Sequence, residues 1–129
     1  MRNKWQMGWL LGIIALLAGC ATVPTLPPAK PIQDLKDIAG KWAGQITTRG
    51  GSSSYALTIN GDGSWEATAP NISPGNFKGI MRVSGDKVLF RSYTTGRTGI
   101  VTLHESEGKR TLVLSIEDGG VRAELTPAR

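Results

Sequence analysis

Leu112-Val113-Leu114-Ser115-Ile116-Glu117-Asp118-Gly119-Gly120-Val121-Arg122-Ala123-Glu124-Leu125 carries apolar residues at every second position on either side of an Asp-Gly pair. Period two is the mark of a half-buried strand, and Asp-Gly favours a two-residue type I′ hairpin. With Asp118-Gly119 as the loop, Ile116 faces Val121, Leu114 faces Ala123 and Leu112 faces Leu125. All six share one face. A slip of one residue would turn each of them to the opposite side of the sheet.

The same test extends upstream. A Glu107-Gly108 loop sets Leu103 opposite Leu112, and a Thr95-Gly96 loop sets Phe90 opposite Val101 and Val88 opposite Leu103. A Gly85-Asp86 loop pairs Val83 with Val88 and Met81 with Phe90. The Gly61-Asp62-Gly63 loop needs three residues to bring Ile59 opposite Trp65. Candidate strands are 41–48, 54–60, 64–69, 76–84, 87–94, 97–105, 110–117 and 120–126, with no helical pattern between them. Their even spacing predicts an all-β fold: a single antiparallel eight-stranded meander, closed into a short barrel by pairing its first strand with its last. Closure removes exposed edges.

The inward face then reads Trp42, Ile46, Leu57, Ile59, Trp65, Ala67, Phe77, Met81, Val83, Val88, Phe90, Val101, Leu103, Leu112, Leu114, Ile116, Val121, Ala123 and Leu125, without a charge. An eight-stranded barrel is just wide enough for side chains to fill or to hold one small ligand. So many bulky residues favour filling.

The other end of the chain is organised differently. Arg2 and Lys4 precede an apolar run from Met7 to Leu17, the charge and hydrophobic core of an export signal. The run is shorter than the roughly 20 residues that span a bilayer. It ends at Leu17-Ala18-Gly19-Cys20, and Cys20 is the only cysteine. These four positions resemble the lipobox of bacterial lipoproteins. The resemblance implies cleavage before Cys20, a thioether-linked diacylglycerol on its sulfur and usually a third acyl chain, palmitate, on its amine. No other cofactor is expected. More than one acyl chain gives stable membrane anchoring. Ala21, where an Asp would resemble the inner-membrane retention signal, favours the outer membrane with the domain on its periplasmic side.

Three segments result: a signal peptide over 1–19, the lipidated cysteine and a tether over 20–31, and a barrel domain over 32–129. The tether holds four of the seven prolines and reads as an extended polyproline spacer. Ile32, Leu35 and Ile38 at helical spacing before Gly40 predict one or two helical turns. Removing Arg2 and Lys4 from 15 basic residues leaves 13 against 10 acidic ones. That mild balance argues against a nucleic-acid partner and leaves the oligomeric state open.

Gly40-Lys41-Trp42, after a short helix and opening the first barrel strand, resembles the Gly-x-Trp motif of the lipocalin and calycin barrels. The resemblance implies a tryptophan plugging one end of the barrel, with an arginine of the last strand, here Arg122, across its ring. The Thr-Asp-Tyr segment of that family is missing.

Two surfaces stand out. Gly79, Ser92 and Gly99 fall at one level on neighbouring strands by the registers above. The room they leave is either crossed by Trp42 or Trp65, or forms an apolar ligand pocket. On the outer face Lys78, Arg82 and Arg91 lie among Ile80, Leu89, Tyr93 and Ile100. That face either solvates the sheet or docks an acidic envelope protein or a glycolipid phosphate. His104 turns outward opposite Thr111, Glu105 points to the other face and Glu107 sits in a turn. Neither a metal set nor a catalytic constellation assembles from these residues, so enzymatic activity is not expected. The expected role is structural, accessory or partner-binding; the alternative is a lipocalin-like binder of a small apolar ligand.

Overall fold

The computed structural model describes residues 26–116 and 119–128. The expected export signal, Cys20, the first part of the tether and Asp118 lie outside the described residues.

The elements are β1 (Ala29–Lys30), a 3-10 turn (Leu35–Asp37), β2 (Gly40–Thr48), β3 (Gly51–Ile59), β4 (Ser64–Thr68), β5 (Asn76–Ser84), β6 (Lys87–Ser92), β7 (Thr98–Ser106), β8 (Lys109–Ile116) and β9 (Arg122–Pro127). From β2 to β9 every strand pairs antiparallel with the next, and β2 pairs with β9. The result is a closed eight-stranded meander barrel with one added strand.

Alternation sets the registers. Ile59 lies opposite Trp65, Val83 opposite Val88, Met81 opposite Phe90, Leu103 opposite Leu112 and Leu114 opposite Ala123, all as the hairpin loops require. The Thr95-Gly96 hairpin is corrected. Val88 faces Val101 and Phe90 faces Gly99. The loop holds four residues, Tyr93 to Gly96. Ser92 N–H donates to the Arg97 carbonyl at 2.9 Å and Gly96 N–H to the Ser92 carbonyl at 2.8 Å. Gly96 takes a φ of +75° that a side chain would oppose. A shift of two residues preserves parity, so the same side chains face inward.

The inward list is buried through most of its length, from Trp42 and Leu57 to Leu112 and Leu125. Ile46, Phe77, Val83 and Ile116 are only partly buried. Tyr55 and Ala69 join the core beyond the residues expected. Inward Gly79 and Gly99 leave no room for a side chain. A Cβ at Gly79 would stand 1.9 Å from the Arg91 carbonyl and 2.8 Å from the Trp65 ring. At Gly99 it would stand 2.2 Å from the Ser115 carbonyl and 2.5 Å from the Phe90 ring. Such glycines let a sheet coil tightly enough to close.

One end is plugged by the chain itself. Beyond Val101 the flank of β7 runs past the end of β6, leaving backbone groups open. Part of the Pro-rich segment covers them: Ala29 and Lys30 pair with His104 and Leu103. His104 Nδ1 lies 2.7 Å from the Pro27 carbonyl and Nε2 lies 3.0 Å from Thr102 Oγ1. A carbonyl can only accept, so Nδ1 carries a proton and donates to Pro27. The chain next donates from Ile32 N–H to the Asp86 carbonyl at 3.1 Å. It then drops Ile32 and Ile38 into the barrel end, both fully buried. The expected helix is a single 3-10 turn, N-capped by Asp34 through Lys36 N–H.

Trp42 occupies this end, and its Nε1 donates to the Ile38 carbonyl at 2.8 Å. The arginine over its ring is Arg110, 5.2 Å from the centroid, not Arg122. Parity explains the correction. Arg110 shares the inward phase of Leu112, whereas Arg122 follows inward Val121, points outward and pairs with Glu124 at 3.0 Å. Arg110 also donates to the Asp37 carbonyl, tying the 3-10 turn to β8.

Candidate ligand-binding site

At the opposite end the barrel opens into a cup of about 680 Å³, a size usual for small-molecule sites. Ile46 of β2, Tyr55 of β3, Phe77 of β5, Leu114 and Ile116 of β8, and Val121 and Ala123 beside them form its walls. Trp65 and Phe90 form the buried inner end, their rings edge to face with centroids 6.0 Å apart. Asn71, Ile72 and Ser73 supply a lip, in a loop closed by a bond from Ala69 N–H to the Gly75 carbonyl at 2.8 Å.

Polar groups come from Thr48, Tyr55, Asn71, Ser73, Ser92, Thr95 and Arg97. Ser92 is buried, and its Oγ accepts from Thr95 N–H at 3.3 Å. Burial pushes the Tyr55 hydroxyl up to about 12, so it remains a protonated donor at neutral pH. Trp65 Nε1 is buried and makes no hydrogen bond. Among the described lining residues Arg97 is the one that carries a charge.

The small-residue pocket is therefore half corrected. Ser92 and Trp65 line the cup; Gly79, Gly99 and Trp42 do not. Gly79 faces Ser92, but Gly99 faces Phe90. The rings of Trp65 and Phe90 take the room beside the two glycines, and Trp42 sits at the plugged end. Tyr55 and Ile72 were missed as site residues. Tyr55 shares the phase of Leu57, so the alternation held that signal. Ile72 lies in a loop whose path no periodicity fixes.

The second candidate surface is assembled by register. Ile80 lies beside Arg91, Arg82 beside Leu89, and Leu89 beside Ile100 on the outer face of β5, β6 and β7. Ile80 is 44% exposed and Tyr93, which opens the following turn, 62%. Lys78 lies next to this group, its carbonyl accepting from Tyr93 N–H at 2.9 Å. A shallow groove of about 400 Å³ runs between Ile80, Arg82, Leu89 and Arg91.

His104 lies outward opposite Thr111 and is spent on the Pro27 strap. Glu105 meets Lys30 at 3.3 Å and Arg110 at 3.8 Å. Among the described residues no group of three His, Cys, Asp or Glu could hold a metal ion. No family model, curated protein or solved structure matches this chain.

Proposed function

We propose that this chain is a lipid-anchored protein of the bacterial envelope that works by non-covalent binding, its barrel open at one end to a small apolar molecule. The cup carries this reading. Its walls leave Ile46, Phe77 and Ile116 only partly buried, and apolar surface gains about 25 cal/mol for every Å² withdrawn from water. A guest of matching shape would complete the core at that end. Gly40-Lys41-Trp42, with Trp42 seated at the closed end beneath an arginine, supports a lipocalin-like carrier.

Anchoring rests on Leu17-Ala18-Gly19-Cys20 and the charged, apolar leader before it. Ala21 supports the outer membrane. Replacing Cys20 by Ala is expected to move the chain from the membrane pellet to the soluble fraction. An unlipidated Cys20 in the membrane-bound protein would contradict the anchor. For the cup, native mass spectrometry of protein released from membranes is expected to show an added small mass that organic solvent strips away. A barrel that emerges empty and takes up no apolar probe would contradict carriage.

An accessory or partner-binding role through the outer face is the second reading, supported by exposed Ile80 and Tyr93 beside Lys78, Arg82 and Arg91. Such a surface suits an acidic envelope protein or a glycolipid phosphate. Charge reversal at Arg82 and Arg91 that leaves crosslinked partners unchanged in intact cells would remove it.

A further inference from the structure

The wall of the barrel built by β5, β6 and β7 is charged in one sense. Its outward positions hold Lys78, Arg82, Lys87 and Arg91, and none of them holds a carboxylate. Carboxylates border this wall at its rims: Glu66 of β4 opposite Lys78, and Asp62 and Asp86 in turns at the plugged end. Arg82 and Arg91 are exposed, and among the described residues neither forms an ion pair. Ile80, 44% exposed, stands beside Arg91, and Leu89 beside Arg82. Tyr93, at the turn that follows, is 62% exposed.

The tether reaches the barrel on this same wall. β8 holds one flank of β7 through Ser106, so β1 pairs with Leu103 and His104 on the flank that β6 leaves open. Outward-facing His104 holds the Pro27 carbonyl at 2.7 Å. Pro27 follows Cys20 by seven positions. An extended chain gains at most about 3.6 Å per residue, so the sulfur of Cys20 stands within roughly 25 Å of that carbonyl. A tether so short makes contact with its own membrane an intramolecular event at high effective concentration.

We infer that the β5–β6–β7 wall lies against the anionic phospholipid surface of the membrane that anchors Cys20. Arg82 and Arg91 meet lipid phosphates, and Ile80 and Tyr93 enter the headgroup layer. The inference rests on the proposed lipid anchor and adds the orientation of the domain upon it. Each basic side chain close to an anionic membrane favours the contact about five-fold. Apolar and aromatic groups set among cations suit the same interface. An acidic protein would meet the same charges, but the chain does not hold it beside them.

The test places a thiol on each of two opposite walls of the full chain. Thr98→Cys stands outward beside Arg91, and Ala43→Cys stands exposed on β2, across the barrel from β6. A lipidated Cys20 has no free thiol, so each chain takes one thiol-reactive fluorophore. The labelled chain is reconstituted into phosphatidylcholine vesicles with or without phosphatidylglycerol, and a nitroxide on the lipid headgroup quenches a probe that touches the surface. With phosphatidylglycerol, quenching at position 98 is expected to exceed that at position 43 several-fold. Arg82→Gln combined with Arg91→Gln is expected to keep the unfolding midpoint and bring position 98 down to the level of position 43. Three results overturn the inference while leaving the anchor standing: equal quenching at the two positions, quenching at 98 that ignores phosphatidylglycerol, or quenching that survives loss of both arginines. Each returns the wall to the acidic-protein reading. Two fluorophores per chain would show an unlipidated Cys20, and the anchor and the inference then fall together.

Discussion

The two ends of this barrel are built from one alternating pattern and finished differently. At one end the chain returns on itself. Ile32 and Ile38 fill the interior, Trp42 gives its N–H to a carbonyl of the plug, and Arg110 covers the ring. At the other end the strands run into hairpin loops, and Asn71, Ile72 and Ser73 form a lip. Ile46, Phe77 and Ile116 stay partly exposed, Tyr55 keeps a raised pKa and Trp65 keeps an unused donor. A small barrel needs one packed end to hold its register, and a second packed end would leave nowhere for a guest. On the proposed reading, stability and binding are thus separated along the barrel axis.

The largest expected effect follows from that separation. Ile38→Ala removes a fully buried side chain from the plug and is expected to cost about 2–5 kcal/mol in denaturant unfolding. Ile116→Ala at the cup wall is expected to cost less than half as much. Equal costs would mean that the open end is packed as tightly as the closed one.

Alkaline pH, compared between the parent chain and Tyr55→Phe, probes the cup. The Tyr55 hydroxyl is raised to about 12 by burial, against about 10 in the unfolded chain. Its contribution is therefore undiminished below pH 10 and lost as pH climbs through the folded value. Unfolding midpoints followed from pH 9 to 12 should fall, and Tyr55→Phe should remove roughly 2–3 kcal/mol of that fall. An unchanged pH profile in Tyr55→Phe would place the hydroxyl in water.

A smaller effect separates two arginines. Arg110→Ala loses the contact over Trp42 and the bond to the Asp37 carbonyl, about 1 kcal/mol. Arg122→Ala loses an exposed ion pair and should fall within about 0.5 kcal/mol of the parent. The reverse order in thermal melts would restore the last-strand arginine to the plug.

The smallest lies at exposed Asp62, in the Gly61-Asp62-Gly63 turn. Ser64 donates to Asp62 Oδ1 from its hydroxyl at 2.7 Å and its N–H at 2.9 Å, and these bonds hold the carboxyl below its ordinary value. That stabilisation is present above the unfolded value of about 3.9. It is lost as pH falls through the lower folded value. Asp62→Asn should lower the melting temperature slightly near neutral pH and not at all in strong acid.

The barrel was legible because parity is a local property. Leu112, Leu114 and Ile116 declare one face, the Asp118-Gly119 pair turns the chain, and Val121, Ala123 and Leu125 answer from the other side. Where a loop length was misjudged, at Thr95-Gly96, a two-residue shift left the faces intact and moved Gly99 and Val101 two places along β6. The ends were illegible for the opposite reason. Which end closes depends on where Ile32 and Ile38 travel, and that path is set by the uncovered flank of β7 and the Asp86 carbonyl, both distant in sequence. Arg110 needed only the parity of Leu112 to be found; Trp65's unsatisfied N–H needed the whole packed interior.

Heteronuclear NMR during titration with 1-anilinonaphthalene-8-sulfonate addresses the division between the ends most directly. Saturable shifts confined to Ile46, Tyr55, Phe77 and Ile116, with Ile32, Ile38 and Trp42 unmoved, are the expected result. Shifts centred on the Ile32–Trp42 plug, or none that saturate, would contradict a barrel closed at that end and open at the other.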